Sequence, residues 1–157
     1  MSQTSVTQYG AAGFAGLIAD SMFTDKMSYS AEAAVPFGVP VQLGTNKERQ
    51  VKVLTTSVGQ AALAVGISVA TQAVEQTAAG VAAYADKETV SVMKRGRIWV
   101  TTNDAVVAGA VANLVLANGT FTDEVVAAGI EAFTQFSAKF ITGTTAAGLA
   151  IVEINPK

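Results

Sequence analysis

The chain has no cysteine and no histidine. The first absence removes disulfides and thiolate chemistry. The second removes the commonest general base and the commonest transition-metal ligand. Together they exclude a Ser–His–Asp triad, a cysteine nucleophile and a zinc site of the usual ligands. Charge is scarce too: Asp, Glu, Lys and Arg make up 14% of the 157 residues, against about 25% in an average soluble domain. The formal net charge of −2 supplies no basic footprint for phosphates, so no nucleic-acid partner is expected. Aromatic residues are 7% of the chain, too few for the girdles of an outer-membrane barrel. The opening residues MSQTSVTQYG lack a basic segment leading into an apolar run, so no signal peptide is expected. The uncharged stretch from Val53 to Val74 is broken by Thr, Ser, Gln and Gly and does not read as a membrane helix.

What the chain has is small and apolar. Half of its residues are hydrophobic, mostly Ala and Val, which suits a thin core with closely approaching backbones in one domain of ordinary size. A sparsely charged surface that escapes aggregation is often a covered one, so a permanently assembled protein is expected. A monomer merely rich in Ala and Thr is the alternative.

Strand signals recur from Pro36 onward. Val39, Val41 and Leu43 alternate, with Pro40 at a strand start or edge. Gly44 to Lys47 read as a turn into Val51 and Val53. Val65, Ile67 and Val69 oppose small Ala64, Gly66, Ser68 and Ala70. Asp86-Lys87-Glu88 form a polar turn before VSVMKRGRIWVTT. Leu114 and Leu116 lead to Asn118-Gly119, the strongest hairpin signal in the chain, and Phe121 begins the return strand. Leu149 to Ile154 make a closing strand. The segment Ile130 to Phe136 also reads as strand, although Val126, Ile130, Phe133 and Phe140 fit a helical spacing, and QTAAGVAAYA has high helix propensity. Short strands at regular spacing predict an all-β, jelly-roll-like barrel or sandwich.

Residues 1–34 differ. No strand alternation appears there, and Phe14, Leu17, Ile18 and Met22 could line one face of a short helix weakened by Gly13 and Gly16. They predict an N-terminal arm, 1–34, ahead of a β domain, 35–157. The arm would order against a partner or cover an end of its own domain.

No motif of chemistry stands out. GTTAAG, residues 143–148, lacks the lysine of a phosphate loop. The carboxylate pairs Asp20 with Asp25 and Asp123 with Glu124 read as solvated turn residues rather than a glycosidase pair. Asn103 and Asp104 offer no calcium ligand series. No catalytic residue, metal or cofactor is expected. In VSVMKRGRIWVTT, Val90, Val92, Ile98 and Val100 fall on one face, and Met93, Arg95, Arg97 and Trp99 on the other. A solvated face is one reading. The other is an interface anchor in which Arg97 stacks on Trp99, since Trp and Arg are enriched at hot spots.

The run from GISVATQAVEQTAAGVAAYADKETVSVMKRGRIWVTTNDAVVAGA through the hairpin to KFITGTTAAGLAIVEI resembles the structural cement, or head decoration, proteins of tailed bacteriophages. The matching features are Gly66-Ile67, Val90-Ser91-Val92, Gly96 to Val100, Ala108-Gly109, and Lys139-Phe140 before Ala147 to Ala150. GFAGLIADS and VPFGVPV are similar to the family's arm and first strand. The resemblance implies a β protein without enzymatic activity, made in the host cytoplasm and carried on the outside of an icosahedral head. Its partners would be the major capsid protein and a second copy of itself, as a dimer or a trimer. Phe14, Leu17, Ile18, Met22, Arg95, Arg97 and Trp99 are then the candidate interface residues. The rival readings are a tail-tube or fibre subunit, which shares the low-charge β character, and a carbohydrate-binding module presenting Trp99, Tyr84 and Tyr9.

Overall fold

The computed structural model describes residues 13–54, 60–71 and 83–157. Among them the chain forms β1 (Ile18–Ala31), β2 (Val35–Pro36), β3 (Pro40–Leu43), β4 (Gln50–Val53), β5 (Ala64–Ser68), β6 (Ala83–Tyr84) and β7 (Thr89–Thr102). β8 (Asn113–Val115), β9 (Thr120–Thr122), β10 (Ile130–Ala132), β11 (Phe136–Phe140) and β12 (Gly148–Pro156) follow. A single 3-10 turn, Gln60–Leu63, precedes β5, and no α-helix occurs among the described residues. The fold is all-β, as the strand pattern predicts.

β7 organises everything else. Its apolar side chains recur at a two-residue period, so Val90, Val92, Ile98 and Val100 are fully buried while Thr89, Arg95, Arg97 and Thr101 face solvent. β1 lies antiparallel to it on one edge, with Ile18 opposite Ile98 and Tyr29 opposite Val90. β5 takes the other edge at Val92 and Met93, and β12 takes it from Gly96 to Thr102.

The pairings close two rings on this shared strand. In the first, β1 pairs with β4, β4 with β3, β3 with β5, β5 with β7, and β7 with β1. Its interior holds Ala31, Val35, Phe37, Val41, Val51, Tyr84, Val90 and Val92. In the second, β7 pairs with β12, β12 with β11, β8 with β9, and β9 with β7. Residues 109–112 complete it: Phe140 N–H donates to Ala110 C=O, and Ala112 N–H to Ala138 C=O. Ile98, Val100, Leu114, Phe121, Phe133, Phe136, Phe140, Val152 and Ile154 fill that interior. Each fully buried Val, Leu, Ile or Phe contributes about 1.5–3 kcal/mol, so the aromatic-rich second core is the stronger one.

Two details depart from simple alternation. Met93 belongs to the outward set by sequence, yet it is fully buried in the second core. Lys26 pairs with Met93 and Asp25 with Arg95, so Lys94 is an extra residue, and the bulge turns Met93 inward. β5 then lies so close that a Cβ on Gly66 would stand 2.3 Å from the Met93 carbonyl oxygen. Only glycine fits there.

The helical spacing of Phe14, Leu17, Ile18 and Met22 is not used: Ile18 and Met22 lie in the extended strand β1. Gly16 has φ +84, which ends any helix before it starts, and the backbone groups of Leu17 and Ile18 to Asp20 face β7 instead. The run QTAAGVAAYA falls largely outside the described residues, and its last three, Ala83 to Ala85, carry β6. The strand reading of residues 130–136 holds only at the ends: β10 covers 130–132, β11 starts at Phe136, and a turn interrupts them.

Candidate functional site

Two surface patches flank β7, and between them they hold most of the candidate residues. The first is built by residues 13–18. Gly16 N–H donates to the Trp99 carbonyl at 2.8 Å, and Trp99 N–H donates to the Leu17 carbonyl at 2.9 Å. Gly13 lies on the indole: a Cβ there would stand 2.6 Å from the ring. Trp99 is therefore half-covered by its own chain. Ile18 packs against the second core. Phe14 stays 49% exposed. It lines a concavity with Pro36, Phe37, Val39, Thr101 and the Asn118-Gly119 turn. Met22 stands in β1, and its side chain lies outside the described residues.

The second patch is a row of charge across three strands. Asp20 on β1, Arg97 on β7 and Glu153 on β12 are cross-strand neighbours. Arg97 Nε donates to Glu153 Oε2 at 2.7 Å, and its Nη1 lies 3.7 Å from Asp20 Oδ2. The Glu153 hydrogen bond, then the Glu153 and Asp20 charges, raise the guanidinium pKa above its already high ordinary value. Arg97 is thus committed to carboxylates and does not lie over Trp99. The cation–π contact found among the described residues is Lys94 Nζ, 5.9 Å from the Tyr29 ring centroid. Arg95 Nε donates to the neutral Asn155 Oδ1 at 3.2 Å.

These residues surround a concavity that also takes in Phe23. Between Asp20 and Asp25, β1 advances five residues while β7 retreats only two, from Arg97 to Arg95. The three extra residues bulge outward, and Thr24 Oγ donates back to the Asp20 carbonyl at 3.0 Å. Phe23 sits in this bulge with φ +67 and 72% of its surface exposed. A left-handed conformation costs a non-glycine residue about 1–2 kcal/mol. Sequence reasoning missed Phe23 because SMFTD carries no alternation, and its flanking Asp20 and Asp25 read only as solvated turn residues.

The remaining sequence candidates disperse. Asp20 and Asp25 stand in a strand at either side of the bulge, not in a turn. Asp104 accepts from Thr122 Oγ, and Asp123 caps the Val107 amide. No cluster of metal-ligating groups occurs among the described residues. Among the described residues the aromatic platform of a carbohydrate module does not assemble. Tyr84 is buried with its hydroxyl on the Val69 carbonyl, Trp99 is half-covered, and Tyr9 lies outside the described residues. Burial raises the Tyr84 pKa, so its hydroxyl stays a donor.

Residues 2–155 match the family model described as structural cement protein (E217 gp24/Pam3 gp6). The chain belongs to this phage structural cement protein family. Membership makes it a structural component of a phage capsid. Among solved structures it is similar to a chain of the capsid of Myoviridae phage XM1, with a TM-score of 0.75 at 18% identity. The match covers 98% of this chain and 96% of that one, and at this identity it shows a common fold. No curated protein matches the sequence.

Proposed function

We propose that this cement protein binds the outside of the mature icosahedral head and bridges neighbouring capsomers, holding the shell against the pressure of packed DNA. The family match over nearly the whole chain carries the reading. The physical case is mechanical. A shell under internal pressure fails where capsomers part, and a protein with one foot on each side of that seam adds its binding energy there. Two footholds on a fixed lattice raise avidity by about 10²–10⁴, so each contact can be modest. Rigid footing suits a body with two closed rings sharing one strand, because few of its strand edges are free to move.

In this reading the protein works by binding and performs no catalysis. The major capsid protein is its partner, and self-association, as a dimer or a trimer, would set the distance between footholds. Phe14 at the rim of the first patch and Arg95 in the second are exposed enough to make contact as they stand. Leu17, Ile18 and Trp99 act through the shape of the first patch, and Arg97 through the charged row. The segment N-terminal to residue 13 supplies reach.

The test uses heads assembled without the protein. Adding it back should give saturable occupancy on the outer lattice, visible by electron microscopy, and should raise the temperature at which full heads release DNA. Occupancy without any change in that temperature would remove the stabilising role. A chain starting at residue 13 keeps β1 and the cover on Trp99. It should fold normally and occupy heads less, and full occupancy would remove the role of the leading segment.

A further inference from the structure

The outer side of β1 is unfinished. From Ala19 to Ser28 no described side chain is buried. Ser30 N–H donates to the Arg49 carbonyl and Glu32 N–H to the Val51 carbonyl. From Lys26 onward, past the last register shift, the even-numbered residues of β1 therefore aim their backbone groups away from β7, and β4 meets that edge only at Ser30 and Ala31. The next outward-facing residues are Ser28 and Lys26. Among the described residues, nothing pairs with their outward backbone groups. An open edge of this kind is a template for another strand.

Beside the open edge, Phe23 is held in a strained left-handed conformation with its ring in solvent, and Met27 is 46% exposed. Strain of this kind persists where surrounding structure enforces it, and it clusters at ligand clamps. The charge around this surface is not balanced. Arg97 is matched by Asp20 and Glu153. In all, four cations (Lys26, Lys94, Arg95 and Arg97) stand against three carboxylates (Asp20, Asp25 and Glu153), an excess of one, and Arg95 is bonded to a neutral amide.

We propose that the outer edge of β1, anchored by Phe23, docks an extended segment of the major capsid protein. The segment carries an apolar socket for the ring, flanked by carboxylates. This rests on the head-binding reading above. The open backbone groups of Lys26 and Ser28 select an extended strand, Phe23 fixes its position, and Lys26, Lys94 and Arg95 select acidic neighbours. Phe23 is the kind of aromatic residue that dominates interface energetics.

The experiment measures binding of the full chain to heads assembled without it, alongside thermal unfolding and the oligomeric state. Phe23→Asn removes the ring and relieves the backbone, because Asn tolerates the left-handed region. Its melting temperature should be unchanged or higher, while half-saturation should need about tenfold more protein or beyond. Phe23→Tyr should bind as the unmodified chain does. Ser28→Pro deletes an N–H that points away from β7, so the fold should survive and binding should weaken. Normal binding by Phe23→Asn and Ser28→Pro overturns this inference alone. Loss of self-association with head binding intact assigns the edge to a second copy and overturns it as well. Failure of the unmodified chain to bind heads removes the head-binding reading and this inference together.

Discussion

β1 and β7 are both fourteen residues long and lie side by side in one sheet, yet they are opposite kinds of strand. β7 is gripped on both edges and is buried at every second position over most of its length, so its sequence is written by its core contacts. β1 is paired along one edge except at its bulge, and among its described side chains only that of its last residue is buried. β7 forms because its side chains must leave water. β1 forms because β7 offers it hydrogen bonds. A strand of the second kind has its side chains left over for other uses.

Substitutions should expose that difference. The largest effect is expected inside β7: Ile98→Ala opens a cavity in the second core and should cost about 2–5 kcal/mol in urea unfolding. The next is at the contact that lays residues 13–18 on Trp99. Gly13→Val cannot keep its place on the indole. It should cost about 1–3 kcal/mol and shift the emission of the single tryptophan to longer wavelength, because the ring becomes more exposed.

A smaller effect marks the end of β1, where the strand turns into the core. Glu32 accepts from the Thr45 amide and hydroxyl and lies 3.9 Å from Lys52. The Thr45 amide bond is the main cause of its lowered pKa, followed by the hydroxyl bond and then Lys52. A carboxyl lowered in the folded state contributes stability that is complete above its unfolded pKa and is lost as pH falls through the folded value. Glu32→Gln should therefore be slightly less stable than the unmodified chain at neutral pH and equal to it in acid, as followed by melting temperature against pH. The smallest effect is expected on exposed β1, where Met27→Ala should change stability by less than about 0.5 kcal/mol. A loss near that of Ile98→Ala would show that β1 is held by more than its backbone.

The same contrast explains what the sequence made legible. β7 and the closing strand β12 carry a buried period of two, and β8 and β9 are announced by Asn118-Gly119, where Gly119 takes φ +69. β1 has no such period because its described side chains, Ala31 apart, are at most partly covered, so the pattern that reveals strands elsewhere is missing, and an accidental helical spacing took its place. Arg95, Arg97 and Trp99 were readable as an outward row, but their partners were not. Glu153 comes from 56 residues away, and the cover on Trp99 comes from a glycine, which leaves no apolar signature. Met93 was misplaced by one inserted residue, and a bulge is a property of two strands together rather than of either sequence. The family resemblance read in the residues agrees with the match over residues 2–155.

The common wall formed by β7 also sets how the molecule comes apart. Neither ring can lose that wall without wetting the other's interior, so the two lobes have no independent melting points. A calorimetric scan should show one peak whose van't Hoff and measured enthalpies agree, even though the chain encloses two separate apolar clusters.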